Sequence, residues 1–240
     1  GGLLPVVYFF RKNDSLLHFV KPVFDRRVFL KTCTNGSSEL MTNLSMSLVN
    51  ALYNLQLMKI AGENGVAAYG AVMYVNFIFV ATFLGYAIGC APVISYHYGA
   101  GNHAELKNLY KKSMSIILVW GVILFGAAQL LAPVLSKIFV GYNTGLYAMT
   151  LHGFRVYAIA FLIIGINIFG SSFFTALNNG LISAVISFLR TLVFQVIMVL
   201  TLPLWFGING IWSAIGVAEA LTLIMTTTFF VRQKDKYHYL

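Results

Sequence analysis

Charge is what this sequence has least of. Charged residues make up 10% of its 240 residues, against about 25% in an ordinary soluble domain. Hydrophobic residues make up 59%, and mean hydropathy is +0.80. No water-soluble core could bury that much apolar surface, so lipid must solvate much of the chain. Cysteine is also scarce. Cys33 and Cys90 are the only two, and no Cys-x-x-Cys occurs. That excludes a disulfide framework and predicts free thiols. Catalytic signatures are missing as well. There is no His-Glu-x-x-His, no Gly-x-Ser-x-Gly and no P-loop, so neither an enzyme nor ATP hydrolysis is read here. Energy must come from an ion gradient or from a partner. His97 and His103 have no carboxylate or cysteine at a ligand spacing, so no metal site or cofactor is expected.

The net charge of +9 does not point to nucleic acid. The basic residues stand in short loops between apolar runs, which is the pattern of topology signals. The fold class expected is therefore all-α: a polytopic membrane protein with a bundle of six transmembrane helices.

The most informative stretch is 32–57. At about 100° per residue, Glu39, Asn43, Ser47, Asn50 and Asn54 share an arc of about 80°. Met41, Leu44, Leu48, Leu52 and Leu55 take the opposite side. The stretch can cross about 30 Å of hydrocarbon, yet it carries a polar seam. Polar groups at membrane depth must face protein or water, so the seam predicts a polar cavity.

Three domains are read. Residues 1–10 are too short to span and read as the end of a preceding transmembrane helix. Residues 11–31 form a basic cytosolic linker, either a plain loop or an amphipathic helix in the membrane surface interrupted at Pro22. Residues 32–240 form the six-helix bundle. Its spans are expected at 32–57, 66–90, 113–136, 147–177, 181–202 and 211–231. Pro92 should end or kink the second, 96–112 should be a basic loop, and Pro203 should close the fifth. Loops alternating from 11–31 put thirteen basic residues, Arg190 among them, on one side. The other side has Lys59 and Lys137. This predicts a multi-pass protein of the cell membrane with a cytosolic C-terminus. The segment from Tyr8 to Asp14 also resembles the one from Thr228 to Asp235. That similarity suggests an earlier copy of the bundle in the same polypeptide, a repeat common in secondary transporters.

Several polar residues fall inside spans. Glu39 lies about two turns into its helix. An ionised acid at bilayer centre costs about 2.5–3.5 kcal/mol on insertion scales. Glu39 can avoid that by taking up a proton, which is what a proton-coupled carrier needs. The plain alternative is an interfacial carboxylate bonded to a neighbouring helix. Glu219 is deeper and has the better claim to a buried acid, either functional or bonded to a group on the fourth or fifth span. Asn167 and Gln195 are mid-span amides that fit substrate contact or helix packing. Arg155 reads as a snorkelling base and as the lone base inside the membrane. The substrate- or ion-binding residues expected are Glu39, Asn43, Asn50, Asn54, Asn167, Gln195 and Glu219.

Four motifs carry a family resemblance: Pro92-Val93-Ile94-Ser95-Tyr96-His97-Tyr98-Gly99-Ala100-Gly101-Asn102, Asn35-Gly36-Ser37-Ser38-Glu39, Phe174-Thr175-Ala176-Leu177-Asn178-Asn179, and Leu202-Pro203-x4-Gly207-x2-Gly210-x-Trp212. Together they resemble the second half of the multidrug and toxic compound extrusion (MATE) transporters. The resemblance implies two six-helix bundles around a central cavity, with the N-terminal half of the same polypeptide as partner. It implies secondary active efflux of cationic amphipathic small molecules, by antiport against protons or sodium. One branch of that family places acids in the middle of its seventh and tenth helices. Here Glu39 lies nearer its helix start and 147–177 holds no acid, so the coupling ion stays open. The alternatives are a flippase for a lipid-linked precursor and a non-transporting membrane subunit. An acidic, amide-rich seam argues for the antiporter, because a flippase would need bases to hold phosphates.

Overall fold

The computed structural model describes residues 3–10, 21 and 24–239, with the backbone alone at 4, 5, 35, 37–39, 41 and 42. Contacts divide the chain into two compact units, 1–33 and 34–240. In the first, the stub is helical as α1 (Leu3–Phe10). Residues 11–20, 22 and 23 lie outside the described residues, and with them most of the expected linker. Helix α2 (Arg26–Gly99) begins just after Asp25. The Asp25 carboxylate accepts from the Arg27 and Val28 amides at 2.8 and 3.4 Å, satisfying two orphan donors of the helix start.

The second unit is built from helices of membrane-crossing length. The apolar part of α2, Asn43–Gly99, has 57 residues, or ~85 Å if straight, far more than one crossing needs. It is broken at Gly62, whose φ of 62° and ψ of −153° no helix accommodates. Tyr53 and Tyr69, which stand ~24 Å apart on a straight helix, stack instead with ring centroids 5.0 Å apart. The two arms within this unit, 43–61 and 63–99, therefore fold back on each other. The Gly-containing turn expected at 58–65 is this break.

The remaining elements are α3 (His103–Val140), α4 (Thr144–Ala158), α5 (Phe161–Ala176), α6 (Gly180–Phe188), a π-helical segment (Leu189–Phe194), α7 (Gln195–Phe206) and α8 (Ile208–Tyr237). α4 and α5 are one span bent by 48° at Ile159 and Ala160. α6, the π segment and α7 run on as a 27-residue helix, Gly180–Phe206. With both arms of α2, α3 and α8, this makes six crossings.

Several expected boundaries move. Pro92 does not end its helix, which continues to Gly99, and Pro203 sits inside α7. Both are tolerated because in a membrane bundle neighbouring groups re-satisfy the freed carbonyls. The expected basic loop at 96–112 shrinks to Ala100, Gly101 and Asn102. Gly101 takes a left-handed φ of 66°, and Asn102 caps α3 by accepting from the Glu105 amide at 3.1 Å. Asn143 and Asn179 cap α4 and α6 in the same way.

α5 is the hub. Phe161, Ile164, Phe169, Phe173 and Phe174 are buried on it. Phe173 lies against Tyr110 of α3, Phe230 of α8 and Tyr239. Small residues admit close neighbours. A Cβ at Gly165 would strike the Phe83 ring, and one at Gly170 the Thr226 methyl. The faces turned away from α5 expose large apolar side chains such as Leu130, Ile138 and Leu204, as lipid-facing surfaces do.

Candidate functional site

A cavity of about 870 Å³ opens inside the second unit. Asn50, Tyr53 and Asn54 come from the first arm of α2, and Tyr69, Met73 and Asn76 from the second. α5 contributes Ile164 and Ile168, the π segment Arg190 and Thr191, α7 Gln195, and α8 Ile215 and Glu219. The fold-back at Gly62 sets the α2 wall. Tyr69 donates its hydroxyl to Asn50 Oδ1 at 3.0 Å, and Asn54 Nδ2 donates to the Asn50 carbonyl at 2.9 Å. The Tyr53 hydroxyl, also buried, has no partner among the described residues.

The opposite wall holds a charged group of three side chains. Arg190 Nε donates to both oxygens of Glu219, at 2.9 and 3.1 Å. Asn167 Nδ2 donates to Glu219 Oε2 at 2.7 Å and to the Glu219 carbonyl at 3.0 Å. Glu219 is 1% exposed and Asn167 is fully buried, whereas the Arg190 side chain keeps 15% of its surface. The carboxylate is thus enclosed and satisfied, and of the two charged side chains in the wall the guanidinium is the more exposed. Arg190 lies in a π-helical stretch. Such stretches insert one extra residue per turn, re-aim side chains, and recur at functional sites.

The residues expected from sequence are distributed as follows. Asn50, Asn54, Gln195 and Glu219 line the cavity together. Asn167 stands behind Glu219 and holds it, which is the helix-packing bond to the fourth span weighed above. Asn43 is exposed on α2 and is not in the cavity wall. Glu39 is in helical backbone, and its side chain lies outside the described residues.

Arg190 corrects two expectations. It is not in a cytosolic turn but ten residues past Gly180, ~15 Å along the helix axis. Arg155 is therefore not the only base at membrane depth. It is exposed on α4, and its carbonyl accepts from Gln129 Nε2. The signal for Arg190 was available. The Asn178-Asn179-Gly180 turn starts a helix there, so residue 190 had to be deep. Tyr53, Tyr69, Asn76 and Thr191 were missed because their types are common in any apolar span. Among the described residues, no three His, Cys, Asp or Glu side chains converge as a metal site would require.

Six membrane-crossing segments around a polar cavity, with an ion pair at mid-helix in its wall, define a membrane transporter bundle. The chain belongs to the MatE family, whose model matches residues 40–201. Among solved structures it is similar to a MATE protein in complex with MaL6, at 20% identity and a TM-score of 0.89, covering 99% of this chain and 54% of that one. It is similar to the outward-facing conformation of a multidrug resistance MATE transporter of the MOP superfamily, at 20% identity and a TM-score of 0.86, covering 98% and 53%. A MOP-superfamily transporter from Pyrococcus furiosus matches at 20% identity and a TM-score of 0.86, covering 96% and 52%. It is described as having a binding pocket of reversed polarity that suggests a different function. Identity at this level carries the fold alone. The chain spans about half the length of these solved proteins. No curated protein matches it.

Proposed function

We propose that this chain forms one half of a secondary active efflux carrier, with its other half in the same polypeptide. Amphipathic small molecules bind in the cavity, and a proton or sodium gradient drives their export by antiport. The observation that carries this reading is the Arg190–Glu219 ion pair, held by Asn167 in the wall of an 870 Å³ cavity. A cavity of that size suits a drug-sized ligand, whose sites run to about 300–1,000 Å³. Ionisable residues within membrane spans mark substrate or ion pathways. Organic cations are the substrates the family suggests, and the exposed Tyr74 ring in the wall offers them a cation–π contact.

The test is accumulation of ethidium in cells making the full-length protein, with and without ionophores that collapse each gradient. Export that survives collapse of both gradients would sink the antiport mechanism. If Glu39→Gln and Glu219→Gln both leave efflux untouched, coupling does not run through these acids. A flippase for a lipid-linked precursor is the second reading, favoured by Arg190, because a base in the cavity could hold a phosphate. It predicts flipping of a fluorescent phospholipid analogue and no ethidium export.

The membrane orientation follows from the same charge bias. Without Arg190, twelve basic residues still face Lys59 and Lys137. The C-terminus is then cytosolic in the cell membrane. A single cysteine placed at Lys236 should react with an impermeant maleimide only after the membrane is opened.

A further inference from the structure

The polar seam read from sequence is acidic, and an acidic cavity would select cations. Of the described charged residues in the cavity wall, Arg190 is more exposed than Glu219. Glu219 is 1% exposed, and both of its oxygens are engaged, Oε1 by Arg190 and Oε2 by Arg190 and Asn167. Arg190 lines the cavity, and only its Nε is spent on Glu219. Neither terminal nitrogen of the guanidinium carries a hydrogen bond to any described residue. Gln195 flanks it in the wall and adds a neutral donor, while the Thr191 hydroxyl is spent on the Ser187 carbonyl at 2.7 Å. Glu219 holds the guanidinium in place, so it is pre-organised for a ligand.

We propose that Arg190 makes this cavity a site for the anionic group of an amphipathic ligand, a carboxylate or phosphate, whose apolar body packs on the exposed Tyr74 and Phe77 side chains of the same wall. This rests on the reading of the cavity as the substrate site. The chemistry is that of the guanidinium fork. Its terminal donors match two oxygens of a carboxylate or phosphate, and such charge-assisted bonds are about twice as strong as neutral ones. The Asn167–Glu219 contact keeps the carboxylate from competing for those donors. A permanent cation gains nothing at this end of the cavity and can bind only on the ring faces.

The experiment is equilibrium binding to the purified full-length protein by fluorescence anisotropy. Fluorescein serves as the anionic probe and ethidium as the cationic probe. Wild type is expected to bind fluorescein. Arg190→Gln combined with Glu219→Gln removes both charges without stranding either one. It should weaken fluorescein at least about tenfold, the size of one charge-assisted contact, and weaken fluorescein more than ethidium. A displacement series on the wild type needs no variant. Benzoate should displace fluorescein, and benzamide, its neutral isostere, should not. A short-chain phosphatidic acid that displaces more strongly than benzoate would identify a lipid headgroup as the source of the anion. Wild type that binds ethidium but not fluorescein overturns the inference and leaves the cavity reading standing. So does fluorescein displaced equally by benzoate and benzamide, or bound equally by the double variant. Wild type that binds neither probe overturns the cavity reading, and this inference falls with it.

Discussion

α5 carries two polar clusters little more than a turn apart, and they differ in kind. Asn167 belongs to one, with Glu219 and Arg190. Ser171 belongs to the other, with Ser183 and Ser187 at 2.9 and 2.8 Å, and Thr175 donates to Ser183 at 2.6 Å. The hydroxyl cluster joins α5 to α6 and is neutral. Its members bond one another, and none of them lines the cavity. The charged cluster joins α5 to α8 and the π segment and opens on the cavity, and its terminal guanidinium nitrogens bond no described residue. Both clusters satisfy the rule that polar groups within a membrane find partners. Only the charged one has donors that no described residue engages. Polarity at membrane depth marks a site when it exceeds what packing consumes.

Glu219→Ala should break this contrast most severely. It leaves the Arg190 charge largely buried and unpaired, and removing one partner of such a pair costs about 3–5 kcal/mol. A large fall in thermal midpoint of the full-length protein in detergent is expected. An unchanged midpoint would mean that the ion pair does not form. The paired substitution Arg190→Gln with Glu219→Gln should be much milder, because no charge is stranded. If it destabilises as much as Glu219→Ala, the contacts matter for shape and not for charge.

Gly165→Val comes next. Its side chain must displace the Phe83 ring, and overpacking of this kind typically costs about 1–3 kcal/mol. It lies beside both clusters and touches neither, so it calibrates how much any damage to α5 disturbs them. Ser171→Ala should cost only about 0.6–1 kcal/mol, the size of an interhelical hydrogen bond in a membrane. It should leave transport unchanged. A transport defect in a normally folded Ser171→Ala protein would erase the distinction between the two clusters. Tyr69→Phe should have the smallest effect. It keeps the stack on Tyr53, loses the bond to Asn50, and should lower ligand affinity about two- to fivefold without moving the thermal midpoint.

The comparison also separates what was legible from what was not. Apolar runs and turn residues located all six crossings, because hydropathy and turn chemistry are properties of neighbouring residues. Boundaries failed where proline was read as a terminator, at Pro203 and in the ending that was one of two readings of Pro92, because a bundle supplies partners that an isolated helix lacks. The buried acid at Glu219 was legible from depth alone. Its partners were not. Asn167 and Arg190 stand 52 and 29 residues from it in sequence, and nothing local says which helices pack together.

By itself, the sequence determined an all-helical membrane bundle with a polar seam, because the scarcity of charge and the 3.6-residue period are local quantities. It also determined the membership, since ordered motifs survive where overall identity does not. Only the tertiary structure decided which charges meet in the cavity wall. The packing of α5, α8 and the π segment pairs Glu219 with Arg190 and leaves the guanidinium the more exposed of the two. Charge at a site depends on which of two paired groups keeps access to the ligand, and that is settled by packing in three dimensions.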